Sequence, residues 1–385
     1  MPIYHTLGQT PRKRHMIFRQ TNGALYTEEL MGNEGFSGLS SLLYRVHPPT
    51  AVKAVKVIAP AAPDAAPDDP MRHRHFHSHR LRDSLSVVTD RVPLLFNADV
   101  SLWFAQMSGE NAEFYRNAQA DEIVYVSHGG GVLESAFGNL AFKSGDYLVI
   151  PRGILHRYRL NSSRQRMLIV ESTGFVRTPK RYRNAFGQLT ENSPFSERDI
   201  RRPTDLETHT ETGNFRVIVK KSGVFSELIL AHHPFDVAGW DGYYYPWAIS
   251  IHDFEPRVGR FHLPPPIHQI FEGDGFVVCS FCPRPYDFDP ESIPAPYNHT
   301  NVMSDEVLYY ANAEFMSRTG IEYGSVTLHP DGLAHGPQPG RTEASIGKKH
   351  TNELAVMVDT FRSLRVSRQA LDVEDKEYYR SWLTK

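Results

Sequence analysis

Cysteine is almost absent, with two residues among 385, which excludes a disulfide framework and leaves imidazole and carboxylate groups to build any metal site. The formal net charge is only −2, so nothing favours nucleic acid as a partner. No apolar run approaches the roughly 20 residues that a membrane-spanning helix needs. No apolar core follows the basic residues 12–14, as it would in a secretory signal. We therefore expect a cytoplasmic protein that binds neither nucleic acid nor a membrane.

Breaks in regular structure are frequent, because glycine and proline number 27 each. Between these breaks lie short runs rich in β-branched and aromatic residues, which are typical of strands. Examples are residues 101–105, 122–126, 147–150 and 355–358. Helical periodicity is convincing only from Ser367 to Leu383. The sequence therefore predicts an all-β chain, a sandwich or barrel, with a short C-terminal helix.

An internal repeat divides the chain into two halves. Gly145–His156 and Gly324–His335 share the form G-x5-P-x-G-x2-H, and the similar segments Asp121–Tyr125 and Asp305–Tyr309 precede them. A Pro-x-Gly turn reverses the chain between two strands, and the histidine after it is expected to point into the barrel. These paired motifs resemble those of the cupin jelly roll, so the sequence predicts two cupin domains.

The C-terminal domain, predicted to span residues 203–385, contains a full set of candidate metal ligands. His299 lies upstream of Glu306, and His335 ends the second motif. Two imidazoles and one carboxylate form a facial triad that leaves three coordination positions open, the arrangement of non-haem Fe(II) oxygenases. Open positions of this kind can take a chelating substrate together with O2.

Either of two neighbours, Asp305 or Glu306, could supply the acid ligand. Adjacent residues of a strand point to opposite faces, so only one of them can reach the metal. The repeat aligns Glu306 with Glu122, immediately before an apolar run, which favours Glu306.

The N-terminal domain, predicted to span residues 1–202 with extended strands at its start, has lost part of this set. Tyr115 and Asn117 stand where the two upstream histidines are usual, while Glu122 and His156 remain. Because two ligands make a poor site, we expect this barrel to be metal-free and structural.

Segments along most of the chain carry a more specific resemblance. They are Leu25–Gly32, Leu43–Val46, Phe235–Tyr243, Tyr245–Trp247, Phe261–Ile267, His299–Glu306 and Leu328–Pro337. Together they resemble the homogentisate 1,2-dioxygenase family. The resemblance implies an Fe(II) cofactor and opening of the homogentisate ring by O2 to maleylacetoacetate, in tyrosine and phenylalanine catabolism. It also implies a trimer or hexamer.

The same resemblance implies roles for individual residues. His262 would be the catalytic base that takes a phenolic proton, and His299, Glu306 and His335 would hold iron. His329 would line the substrate pocket and help to bind the substrate, together with His335. An imidazole suits the first of these tasks, because it accepts a proton near neutral pH.

Three alternatives remain open at this level. The substrate could be another hydroquinone acid such as gentisate. The chain could also be a cupin oxidase, decarboxylase or isomerase, although Asn301 stands where such sites usually have a further histidine. A non-enzymatic bicupin that binds a small acid is the third reading.

A second histidine cluster lies at His73, His75, His77 and His79. Alternate spacing places the four imidazoles on one face of a strand. Because no carboxylate accompanies them in the sequence, we favour a polar strand face or a subunit contact over a metal site.

Overall fold

Nearly all of the regular structure is β-strand. The structure, a computed structural model, describes residues 3–109 and 113–383. In chain order, the strands are β1 (His5–Gly8), β2 (Thr27–Gly32), β3 (Ser40–Arg45), β4 (Val52–Pro60), β5 (Arg74–His77), β6 (Val92–Phe96), β7 (Val100–Met107), β8 (Phe114–Asn117), β9 (Asp121–His128), β10 (Gly130–Ser135), β11 (Gly138–Lys143), β12 (Asp146–Ile150), β13 (Leu155–Leu160), β14 (Gln165–Ser172), β15 (Thr212–Lys221), β16 (Val224–His232), β17 (Val237–Gly242), β18 (Trp247–Ser250), β19 (Gln269–Gly273), β20 (Phe276–Phe281), β21 (Arg284–Pro285), β22 (His299–Thr300), β23 (Asp305–Tyr310), β24 (Ser325–His329), β25 (Ala334–His335), β26 (His350–Thr351), β27 (Ala355–Thr360), β28 (Arg365–Val366) and β29 (Glu374–Asp375).

Helical structure is limited to short turns. One α-helix, Arg341–Ser345, is found within the described residues. The 3-10 helices are Ser78–Arg80, Lys180–Tyr182, Glu197–Asp199, Ile251–Asp253, Pro265–His268, Gln369–Val373 and Tyr378–Arg380. No helix of the described chain is both long and apolar enough to cross a membrane.

The strands form two cupin barrels, which confirms the predicted all-β class. Two seven-stranded sheets, β11-β10-β13-β8-β15-β16-β4 and β18-β12-β9-β14-β7-β6-β28, build the first barrel. The second barrel contains the seven-stranded sheet β19-β20-β27-β23-β24-β5-β29 and the two-stranded sheets β21-β26 and β22-β25. A four-stranded sheet, β1-β17-β3-β2, completes the fold.

The domain boundary at residue 202 remains a prediction, and strands on either side of it pair with each other. Strand β15 pairs in parallel with β8, and β18 pairs with β12, so the chain continues in the first barrel to residue 250. In the opposite direction, β5 leaves the N-terminal half and pairs with β24 of the second barrel. The repeat could not predict these pairings, because its short motifs lie within each half and do not include β5, β15 or β18.

The C-terminal segment also differs from its predicted form. Instead of one helix over Ser367–Leu383, the chain forms two 3-10 helices on either side of β29. Strand β29 pairs with β5, so main-chain hydrogen bonds to another strand replace those of a helix. The Trp382 indole N–H donates to the Gly336 carbonyl at 3.0 Å, which anchors this tail beside the end of β25.

Both copies of the repeat form the predicted turn. Gly153 and Gly332 adopt φ angles of 81° and 76°, a left-handed conformation that glycine reaches without steric cost. Each turn leads into the strand that carries the motif histidine, His156 in β13 and His335 in β25. The repeat therefore delivers one buried imidazole to each barrel.

Candidate metal centre

Two antiparallel strand pairs bring four polar side chains together in the second barrel. His299 in β22 lies directly opposite His335 in β25. Glu306 in β23 lies directly opposite His329 in β24. Directly opposed side chains on one face of a sheet are close neighbours, so the strand register forms each of these two pairs.

Three of the four groups have the arrangement of a metal site. His299 Nε2 lies 3.7 Å from Glu306 Oε2, and His335 Nε2 lies 3.3 Å from Glu306 Oε1. One ligand atom from each residue falls within 4.8 Å of the other two. Two imidazoles and one carboxylate are the donor set of facial-triad Fe(II) sites.

Hydrogen bonds to main-chain carbonyls orient both imidazoles. His299 Nδ1 donates to the Tyr297 carbonyl at 3.3 Å, and His335 Nδ1 donates to the Leu333 carbonyl at 3.3 Å. Protonation on Nδ1 leaves the Nε2 lone pair of each ring directed at Glu306. His335 Nε2 is buried and makes no hydrogen bond within the described residues, as a nitrogen reserved for a metal would. The residues therefore fit an Fe(II) ion.

Electrostatic interactions keep the carboxylate ionised. Burial alone would raise the pKa of Glu306, but interactions with His299, His329 and His335 outweigh burial and lower it well below the ordinary value. The interaction with Glu306 in turn raises the pKa of His299. An ionised carboxylate between imidazoles is prepared to bind a cation.

Asp305 points away from this cluster. Its carboxylate accepts the backbone N–H groups of Asp331 at 2.8 Å and Leu364 at 2.6 Å. These bonds hold the loops beside β23 and leave the imidazoles to Glu306. The geometry thus favours Glu306, as the alignment of the repeat does.

His329 is fully buried beside the triad. Its Nδ1 donates to Glu306 Oε1 at 2.7 Å, and its ring stacks on that of His335 at 4.6 Å with an interplanar angle of 19°. Burial lowers the pKa of His329 to about 3, so the ring is neutral. This position orients the carboxylate. The substrate-binding role predicted for His329 and His335 remains a prediction, since neither lines the adjoining cavity.

A cavity of about 120 Å³ adjoins the triad and is lined by His299, Glu306 and His262. His262 Nδ1 lies 3.8 Å from Asp287 Oδ2, and its ring contacts Tyr297 edge-on at 5.2 Å. Tyr297 in turn contacts the His299 ring at 6.4 Å. The structure therefore brings the predicted base and two of the predicted ligands, His299 and Glu306, to one cavity.

Three arginines also line this cavity, and sequence reasoning missed all of them. Arg284 is paired with Glu353 at 3.1 Å, and Arg318 donates to the Gly336 carbonyl at 2.6 Å. Arg257 donates only to main-chain carbonyls, those of residues 191 and 193. Among the described residues, neither Arg257 nor Arg318 forms an ion pair with a carboxylate; Arg257 is exposed whereas Arg318 is buried, which makes Arg257 the candidate for binding an acidic group.

In the first barrel, a buried arginine lies beside Glu122, the residue that corresponds to Glu306 in the repeat. The buried Arg91 guanidinium donates to Glu122 Oε1 at 2.8 Å and forms a second ion pair with Glu171. Lys220 also contacts Glu171, at 2.8 Å. Two buried cations therefore balance two buried carboxylates.

The two residues that replace the usual upstream histidines, Tyr115 and Asn117, both form hydrogen bonds with Glu122. Asn117 Nδ2 donates to Glu122 Oε1 at 2.9 Å, and the Tyr115 hydroxyl does so at 3.3 Å. His156 Nε2 is buried without a hydrogen bond among the described residues. The absence of metal from this barrel remains a prediction, for which the guanidinium supplies a physical reason.

The family model described as "Homogentisate 1,2-dioxygenase N-terminal" matches residues 19–251. A protein described as "Putative dioxygenase" from Saccharolobus solfataricus is 41% identical over 387 aligned residues, which cover 100% of both chains. A protein described as homogentisate 1,2-dioxygenase from Bradyrhizobium diazoefficiens is 27% identical over 276 residues, which cover 67% of this chain and 59% of that protein. A second from Rhodopseudomonas palustris is 28% identical over 68% of this chain and 61% of its own length. The matched region is thus less than two thirds of either homogentisate dioxygenase.

Removing the guanidinium from the first barrel tests its structural role. Arg91→Ala should lower the free energy of unfolding by about 3–5 kcal/mol, because it leaves two buried carboxylates without that partner. Urea denaturation measures the change. The matched control is Arg82→Ala, an exposed arginine paired with Asp90, which should cost less than about 1 kcal/mol. Equal losses in the two variants would contradict the account.

The two adjacent acids can be separated by isosteric substitution. Glu306→Gln should abolish stoichiometric iron binding, because it removes the anionic ligand. Asp305→Asn should retain iron and lower only the stability, because Asp305 binds main-chain N–H groups. Elemental analysis of Fe(II)-reconstituted protein measures iron per chain. Loss of iron in Asp305→Asn with retention in Glu306→Gln would reverse the assignment.

Proposed function

The chain belongs to the homogentisate 1,2-dioxygenase family, and from that premise we propose that it is an Fe(II)-dependent dioxygenase that opens the ring of homogentisate with O2. The single observation that carries this proposal is the His299–Glu306–His335 triad at a cavity that also contains His262. Other dihydroxyphenyl acids, gentisate among them, are the alternatives that the experiment must separate. The proposed reaction belongs to tyrosine and phenylalanine degradation. The cytoplasmic location and the trimeric or hexameric assembly remain predictions.

We assign each step to a residue of this cavity or of the triad. Bound Fe(II), held by His299, Glu306 and His335, would supply the electrons that O2 chemistry requires. His262 Nδ1 faces Asp287, which leaves Nε2 to take a proton from the phenol of the substrate. Removal of that proton makes the aromatic ring electron-rich before it is attacked.

The rest of the cavity suits an aromatic acid. Phe281, Phe315, Leu308 and Met357 form an apolar part of its wall, against which a substrate ring can pack. Arg257 supplies a positive charge to the lining of the same cavity. A carboxylate on the substrate would bind there, because a guanidinium offers paired N–H donors to a carboxylate.

The function is tested by oxygen uptake. With Fe(II) and ascorbate, the wild-type protein should consume one O2 per homogentisate, and His262→Ala should lower kcat about 10²- to 10⁴-fold while its iron content stays normal, because it removes the general base. His350→Ala, at an exposed histidine outside this cavity, is the matched control and should keep full activity. Normal turnover in His262→Ala would remove the base assignment. No uptake with any hydroquinone acid would remove the proposed function.

Arg257 makes a prediction about substrate selection. Arg257→Gln should raise KM for homogentisate about tenfold or more, with a smaller change in kcat, because it removes the charge that binds the carboxylate. Hydroquinone, which lacks the carboxylate, should show the same KM with wild-type and variant enzymes. Steady-state oxygen uptake gives both constants. An equal rise in KM for both compounds would mean that Arg257 acts only through the shape of the cavity.

A further inference from the structure

A second cluster of histidines lies outside the cavity, on the segment that enters the second barrel from the N-terminal half. In β5, His75 lies opposite Thr327 and His77 lies opposite Ser325. His79 follows in the 3-10 helix that continues the strand. Alternation along the strand places the His75 and His77 imidazoles on one side, while Phe76 is buried on the other.

The fold supplies the carboxylates that the sequence does not place near these histidines. Glu322, just before β24, has its Oε2 at 2.9 Å from His79 Nε2 and 3.8 Å from His77 Nδ1. Asp375 in β29 lies opposite His75, with Oδ2 at 3.9 Å from His75 Nδ1. Two groups of three ligand atoms result, and they share His77. The sequence argument against a metal, the lack of a carboxylate, therefore does not hold in the structure.

Two nitrogen atoms of this cluster have unmet hydrogen-bonding capacity. His77 Nδ1 and His79 Nδ1 are buried and make no hydrogen bond within residues 3–109 and 113–383. Buried polar atoms are nearly always paired, and a site for an ion is one of the recognised reasons for an exception. His77 Nδ1 is the atom that faces Glu322 Oε2.

The backbone holds the cluster in place. Gly324 has a φ of 82°, and a Cβ there would come within 2.9 Å of the His79 Cβ, so the glycine permits close approach. The Ser78 N–H and hydroxyl both donate to the Gly324 carbonyl, at 3.1 and 2.6 Å. The Glu322 N–H donates to Ser325 Oγ at 2.9 Å. These contacts fix His79 and Glu322 relative to each other before any ion arrives.

We propose that His77, His79 and Glu322 form a second metal site, which binds a divalent cation of the zinc class. Imidazole ligands suit zinc and its transition-metal neighbours, whereas Mg²⁺ and Ca²⁺ take oxygen ligands. His75 and Asp375 stand beside the site and are not its ligands.

This site would act as a clamp between the two halves of the chain. His77 and His79 come from the N-terminal half of the sequence, whereas Glu322 comes from the C-terminal half. The clamped strand β24 carries His329, which contacts Glu306. A bound ion would therefore stabilise the strand pair beside the iron site without touching the substrate cavity.

The competing explanation is an ion-pair network without metal. Arg80 Nη2 lies 3.2 and 3.3 Å from the two oxygens of Glu322. In such a network Arg80 stabilises Glu322, whereas in a metal site it competes with the cation. Removing Arg80 should therefore destabilise the position of Glu322 in an ion-pair network, whereas it should tighten cation binding in a metal site.

Zinc binding to the iron-loaded, full-length protein tests the proposal. Equilibrium dialysis against ZnCl2, followed by elemental analysis, should find one zinc per chain in addition to one iron. His79→Ala and Glu322→Gln should each weaken zinc binding roughly tenfold or more, Asp375→Asn should not, and Arg80→Ala should tighten it. Unchanged iron content in each variant shows that the protein is folded.

The matched control is His15→Ala, because His15 pairs with Glu28 at 2.7 Å on the surface without a second imidazole. It should leave zinc binding unchanged. No zinc beyond the iron, or an equal loss in His15→Ala and His79→Ala, would overturn the proposal. So would weaker zinc binding in Arg80→Ala. A loss in Asp375→Asn without one in Glu322→Gln would overturn the ligand assignment. None of these readouts depends on the proposed ring-opening activity.

Discussion

The register between β23 and β24 is the constraint on which the metal centre depends. It places Glu306 opposite His329, so that a buried imidazole donates to the carboxylate and fixes its direction. A shift of one residue would turn Asp305 toward the imidazoles and Glu306 away, because side chains alternate along a strand. Such a shift is disfavoured, because Asp305 would lose the two hydrogen bonds that it accepts from backbone N–H groups.

The two barrels solve the same electrostatic problem in different ways. Each buries a glutamate at the start of an equivalent strand, Glu122 in one and Glu306 in the other. A buried carboxylate needs a positive partner, because leaving water carries a large energetic cost. In the first barrel Arg91 provides that charge permanently. In the second barrel, the ion-pair partners of Glu306 among the described residues are the imidazoles of His299, His329 and His335, which leaves the position suited to a metal ion.

Much of the site could be predicted because the repeat records local geometry. A Pro-x-Gly turn followed by histidine determines where His156 and His335 point, whatever surrounds them. Side chains that reach the sites from distant parts of the sequence are not marked by any local motif. Arg91 lies 31 positions before the glutamate that it contacts, and Arg257 lies in a loop without periodicity.

Long-range pairing accounts for what the sequence did not show. The helical pattern near the C-terminus was overridden when β29 joined β5, and strands β5, β15 and β18 pair across the predicted domain boundary. The histidine cluster was undervalued because Glu322 and Asp375 lie more than 240 positions away.

The most direct test of the account is an anomalous difference map recorded at the iron absorption edge from crystals of the Fe(II)-loaded protein. The account predicts one iron peak among His299, Glu306 and His335, and none beside His156. An iron peak in the first barrel, or none in the second, would contradict it.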